Sequence, residues 1–198
     1  MASLADALLE QITGAADSAG SNSPIPLNQP AVRDGLAAAI PLLVTALSRN
    51  AESDQGAEAL HRALQEDHDG SVLDNLTSYL QQPDLDDGDG ILKHALGDKR
   101  ETAQLGISQT TGLDMDTVSQ MLKFAAPLVL GMLAKQQREK QLGPDGLSNM
   151  LREERSREAE RNPDLMGTLS GILDMDNDGS FMDDLQGLAG KLFGKRGS

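Results

Sequence analysis

The sequence predicts an all-α protein: two tandem copies of a helical unit of about three helices each, followed by a C-terminal amphipathic helix. Three observations predict it. The 198-residue chain has no Cys, no Trp, three Phe and one Tyr. Its core must therefore come from Leu, Ala, Ile, Val and Met, most of which favour helices. Apolar residues recur at helical spacing, whereas the alternating, β-branched pattern of strands is missing. The chain also aligns with itself. Leu27 to Arg49 matches Leu113 to Lys135, pairing Val32 with Val118, Leu36 with Leu122, Ala39 with Ala125, Pro41 with Pro127 and Leu47 with Leu133. A shared proline inside two helical patterns is the strongest sign of duplication, because proline is rare there.

The first copy spans residues 1–82. After a Ser/Asn/Pro loop from Ser21 to Pro30, a long apolar helix passes through Pro41. A third helix carries Gly56, Leu60 and Leu64, which pair with Gly143, Leu147 and Leu151 of the second copy after a one-residue insertion. Ser71 to Leu80 reads as one short helix ended by Pro83. Residues 83–90 (Pro-Asp-Leu-Asp-Asp-Gly-Asp-Gly) read as an acidic linker, since two glycines interrupt a polar run.

The second copy spans residues 91–161. Val118, Met121, Leu122, Ala125, Leu128, Val129, Met132 and Leu133 form one buried stripe, with Asp116 as N-cap and a kink at Pro127. Arg152 to Arg161 is almost wholly charged, and opposite charges three and four residues apart predict an exposed helix. Residues 162–198 read as an acidic loop and an amphipathic helix.

Charge and composition exclude several functions. A formal net charge of −14 repels nucleic acid and anionic membranes. Without Cys there are no disulfides, thiolate metal sites or thiol nucleophiles. Met1 to Ile12 has no basic segment and carries Asp6 and Glu10, unlike a secretory leader. The longest apolar stretch, Phe124 to Ala134, is broken by Pro127 and Gly131, whereas a membrane span needs about 20 residues. The expectation is a cytoplasmic protein with no membrane span and no nucleic-acid partner.

One segment resembles ion-binding chemistry. Asp174, Asp176 and Asp178 alternate before Gly179, as oxygen ligands do around a hard cation, and Ser180 would offer its carbonyl. The twelfth position is Leu185 rather than the bidentate Glu of a calcium loop, so Asp183 or Asp184 would have to reach in. The candidate Ca2+ ligands are thus Asp174, Asp176, Asp178, Ser180 and Asp184. The competing reading is helix capping, because Asp-Gly followed by apolar residues also occurs at Asp69, Asp89 and Asp145. After the loop, Phe181, Leu185, Leu188 and Leu192 form an apolar stripe that could dock on the protein's own core or on a partner.

Other constellations are weaker. Ser108, Gly112 and Val118 have helix-turn-helix spacing, but the would-be recognition helix opens with Asp114 and Asp116, where phosphates demand Arg or Lys. His61, His68 and His94 form no metal-binding pair, and no nucleophile elbow, P-loop or dinucleotide fingerprint occurs.

Ala126 to Leu133, Asp67 to Leu76 and Asp176 to Leu185 resemble the bacterial domain-of-unknown-function 937 family, which overlaps the YidB-like proteins. The resemblance covers about Leu4 to Phe193. It implies a bacterial, helical, cytosolic protein and carries no catalytic residues to transfer. The reading is a non-enzymatic interaction or scaffold protein with a protein partner or a second copy of itself. The alternative is a calcium-binding protein whose C-terminal loop is ordered by the ion.

Overall fold

A computed structural model of the chain describes residues 3–19 and 23–174. Among these residues every regular element is helical. Helix α1 (Leu4–Ala19) begins at a capping box: Ser3 Oγ accepts the Asp6 N–H at 3.1 Å, and Asp6 accepts the Ser3 N–H at 3.3 Å. Helix α2 (Pro30–Asn50) opens on proline, whose missing N–H costs nothing at a helix start. It continues through Pro41, and Thr45 Oγ1 donates to the Pro41 carbonyl at 2.7 Å. Helix α3 (Asp54–Glu66) is capped by Ser53.

The segment expected as one helix over Ser71 to Leu80 is two, α4 (Ser71–Asp74) and α5 (Leu76–Gln81), broken at Asn75. The stretch expected as an acidic linker is helical from Leu85, the first residue of α6 (Leu85–Leu96). Asp84 accepts the Asp86 and Asp87 N–H groups, which starts the helix despite its glycines. Gly88 has a packing role: a Cβ there would collide with the Lys123 carbonyl on the facing helix.

After a 3-10 turn (Gly97–Lys99) come α7 (Arg100–Thr111) and α8 (Met115–Lys140), separated by Gly112 at φ 74°. Asp114 caps α8, in place of the expected Asp116. Its carboxylate accepts the Thr117 N–H at 2.9 Å and the Thr117 hydroxyl at 2.7 Å. Helix α8 also runs on through its proline, Pro127. Helix α9 (Pro144–Arg161) leads to α10 (Pro163–Asp174), which lies where an acidic loop was expected to begin. The caps of α3 and α9 are Ser53 and Gly143, since Ala57 and Leu147 donate their N–H groups to those carbonyls. Gly143 therefore sits at the level of Ser53, not of Gly56 as the sequence pairing had it.

Helices α2 and α8 pack on each other at the centre. The expected stripe of α8, Val118 to Leu133, is buried throughout. Helix α1 lies against α2 and α8, α7 against α8 and α2, α3 against α8 and α9, and α9 against α2 and α3. One core cluster joins residues of both proposed copies, including Leu8, Ile12, Leu36, Ile40, Phe124 and Leu151. Both α2 and α8 are long and apolar enough to cross a membrane by length and composition, yet 78% of each such window is buried inside the protein. Their apolar surface is used by the core.

Candidate functional site

An apolar concavity of the described surface follows from how α7 and α10 meet α2. Ala38 on α2 is one wall, with no side chain beyond Cβ to fill the space. Gly106, Ile107 and Thr110 of α7 form the second wall, and Leu165, Thr168 and Leu169 of α10 the third. The cavity is about 230 Å³, and among the described residues Asp164 is the one charged residue lining it. Ala38 aligns with Phe124 of α8, and there the corresponding place is filled. Tyr79 of α5 donates its hydroxyl to the Phe124 carbonyl at 2.9 Å, with ring centroids 5.5 Å apart. Burial first, then Asp87 and Asp84, push the Tyr79 hydroxyl above its ordinary pKa, so it remains a donor.

A second, polar cleft of about 560 Å³ lies further along α2, lined by Arg49, Glu52, Arg155 and Ser170. Arg155 pairs with Glu52 at 2.9 Å.

The expected exposed helix at Arg152 to Arg161 has a buried face. Glu154 and Glu158 are 8% and 4% exposed. Glu154 accepts the Leu4 N–H at the start of α1 at 3.0 Å and the Arg157 guanidinium at 2.6 Å. Arg161 pairs with Asp6. A carboxylate at a helix N-terminus is favoured by the dipole and satisfies an orphan donor, so this charged run anchors α1. Glu158 receives the Asn162 side-chain amide at 3.4 Å.

The candidate Ca2+ ligands Asp176, Asp178, Ser180 and Asp184 lie outside the described residues, as do Phe181, Leu185, Leu188 and Leu192. Asp174 is the last residue of α10. The earlier Asp67 to Ser71 loop is described, and it caps. Asp69 accepts the Ser71 N–H at 3.0 Å, a bond that holds its carboxyl below the ordinary range, and Gly70 adopts φ 88°. Among the described residues no group of three or more His, Asp or Glu side chains could hold a metal ion.

His61 Nδ1 lies 2.6 Å from Gln137 Nε2, tying α3 to α8. His68 Nδ1 lies 3.8 Å from Asp87. Asp87 is pushed up by burial, an effect that His68 opposes and Asp84 and Asp67 reinforce. Asp89 is held well below its ordinary range by Arg100 first and Lys123 second. These carboxylates organise the start of α6. At the residues with helix-turn-helix spacing, Ser108 Oγ donates to the Leu113 carbonyl at 2.6 Å across the Gly112 turn. The would-be recognition helix, however, is the buried core helix α8.

The groove was missed in the sequence because its walls come from three segments far apart in the chain. The available signal was Ala38 standing at the position that the self-alignment pairs with Phe124.

The chain matches the family described as bacterial proteins of unknown function (DUF937) over residues 5–136. The match runs from α1 into α8, short of the Leu4 to Phe193 span of the resemblance. No curated protein and no solved structure matches the chain.

Proposed function

The chain belongs to the DUF937 family of bacterial proteins of unknown function, and from its geometry we propose that it is a non-enzymatic interaction protein whose groove between α2, α7 and α10 receives an amphipathic helix. The observation that carries this reading is the groove's chemistry: apolar walls contributed by three helices and, among the described residues, a single charged lining residue. Amphipathic helices are recognised by such grooves through anchors at helical spacing, and the binding energy comes from apolar burial of about 25 cal/mol per Å².

The internal organisation supports the reading. Exchange of α1, α2 and α3 with α7, α8 and α9 maps the packing onto itself: α1 touches both long helices, as does α7, and α3 touches α8 as α9 touches α2. In this reading the chain is two copies of one unit intertwined about the α2–α8 contact. On the α8 side, the copy's long helix is covered by α4 and α6 and by Tyr79 of α5. On the α2 side the groove is the place a comparable cover would take.

Thr110 is exposed on the groove's rim, so Thr110→Lys places a charge in the binding surface without touching the core. Light scattering of the purified chain, with and without co-purified partner, should show association that Thr110→Lys weakens by about tenfold or more, the equivalent of 1.4 kcal/mol. Association that Thr110→Lys leaves as strong as the parent's would contradict the reading.

A further inference from the structure

The two Asp-Gly-Ser loops belong to a longer match. Asp67 to Leu76 reads Asp-His-Asp-Gly-Ser-Val-Leu-Asp-Asn-Leu, and Asp176 to Leu185 reads Asp-Asn-Asp-Gly-Ser-Phe-Met-Asp-Asp-Leu. The two runs agree at Asp67/Asp176, Asp69/Asp178, Gly70/Gly179, Ser71/Ser180, Asp74/Asp183 and Leu76/Leu185. Three of the other positions keep their character, as Val72/Phe181, Leu73/Met182 and Asn75/Asp184. Continued in register, Tyr79 corresponds to Leu188.

The structure shows what the first run does. Gly70, in the left-handed region, brings the backbone against α8, where a Cβ would lie 2.9 Å from the Gly131 carbonyl and 3.2 Å from the Arg138 guanidinium. Val72 packs against Gly131. Nine residues on from Gly70, Tyr79 reaches Phe124, two turns back along α8. The run is thus a clip laid antiparallel on the outer face of α8, with its glycine loop at the Gly131–Lys135 level and its apolar anchor at Phe124.

The self-alignment carries these positions onto α2: Lys135 onto Arg49 and Phe124 onto Ala38. Ala38 and Arg49 are eleven residues apart, close to three turns, so they share one face. Ala38 lines the apolar groove, and Arg49 lines the polar cleft with Arg155 and Ser170. Ser170 is in the last turn but one of α10, which ends at Asp174. In the sequence the second run starts two residues later, a reach of at most about 7 Å from the end of α10.

We propose that the groove's occupant is the chain's own segment 176–193, docked in cis as an antiparallel clip on α2. Its Asp-Asn-Asp-Gly-Ser loop sits beside Arg49 and Arg155, and Leu188 enters the groove at Ala38. The proposal rests on the groove being a helix-docking surface and names what docks there. Asp176 and Asp178 meet the two arginines, and Leu185, Leu188 and Leu192 present apolar anchors at helical spacing. Any external partner helix then competes with this segment.

The chain has no Cys, so an engineered pair reports proximity without background. In the full chain, Thr110→Cys with Leu188→Cys should form an intramolecular disulfide under mild oxidation at least tenfold faster than Glu58→Cys with Leu188→Cys, read by non-reducing mass spectrometry. Adding Gly179→Val should slow it about tenfold, because the clip needs a left-handed residue there, a conformation that a β-branched side chain resists. A pair that closes no faster than the control, or closes equally fast with Gly179→Val, overturns the proposal. A disulfide between two molecules overturns docking in cis and leaves the groove reading standing. That reading falls separately, if Thr110→Lys leaves association unchanged.

Discussion

The two long helices are aligned in sequence but finished differently. The outer face of α8 is closed by close backbone approach, Gly88 of α6 against Lys123 and Gly70 against Gly131, and by the Tyr79 side chain over Phe124. The face of α2 that carries Ala38 ends in an apolar groove walled by α7 and α10. A covered face serves stability, because every contact on it is already made. A grooved face is where a further helix would gain most, and the proposed docking site rests on that difference between the two sequence-aligned faces.

Substitutions on the two faces should therefore behave differently. The largest effect is expected at Phe124, fully buried on the covered face. Phe124→Ala should cost about 4 kcal/mol in urea unfolding, whereas Ala38→Leu, which grows a side chain into the groove, should change stability by less than about 1 kcal/mol. A cost at Ala38 as large as that at Phe124 would erase the distinction. Next comes Gly88→Ala, expected to lose about 3 kcal/mol because its new methyl group strikes the Lys123 carbonyl. Two residues on, Gly90 has open space around it, and Gly90→Ala should gain about 0.5–1 kcal/mol by propensity alone. Tyr79→Phe, which keeps the ring and removes the bond to Phe124, should cost about 1 kcal/mol.

The acid limb of stability sharpens the comparison further. Asp89 joins α6 to α8 through Lys123 and to α7 through Arg100, and its pKa is depressed in the folded state. Its contribution is complete above the ordinary carboxylate value of 3.8 and is lost as pH falls through the lower folded value. Asp87 is shifted upward, so its contribution is present below 3.8 and is lost as pH rises through the folded value. Asp89→Asn should flatten the loss of stability below pH 3.8, and Asp87→Asn should raise stability near neutral pH relative to acid. The smallest effect concerns calcium: if the Asp-Gly-Ser loops are caps, millimolar calcium should move the melting temperature by less than about 1 °C, since weak or absent binding adds little through RT ln(1 + [L]/Kd).

Much of the fold was legible in the sequence because it depends on local periodicity. The α8 stripe from Val118 to Leu133 is buried as its spacing requires, and the helices pass through both prolines. What misled the reading were residues whose role is set by a neighbour distant in sequence. Gly88 looks like a helix breaker until Lys123 is opposite it, and the 83–90 stretch accordingly looked like a linker. Glu154 looks solvated until the start of α1 is placed against it. Asp114 and Asp116 are equally good caps by type, and only the position of Thr117 selects Asp114. The groove needed three helices and the absence of a large side chain at Ala38, which no local pattern reports.

The central claim is that the groove between α2, α7 and α10 is a docking site for an amphipathic helix. The most direct test uses the full chain with Leu185→Asp and Leu188→Asp, which removes the anchors of its own C-terminal segment. A synthetic peptide of residues 176–193 is titrated into it while backbone amide shifts are followed by NMR. The account predicts saturable shifts centred on Ala38, Gly106, Ile107, Thr110, Leu165 and Leu169. Shifts that fail to appear at millimolar peptide, or that map to the covered face around Phe124 and Gly131, would contradict it.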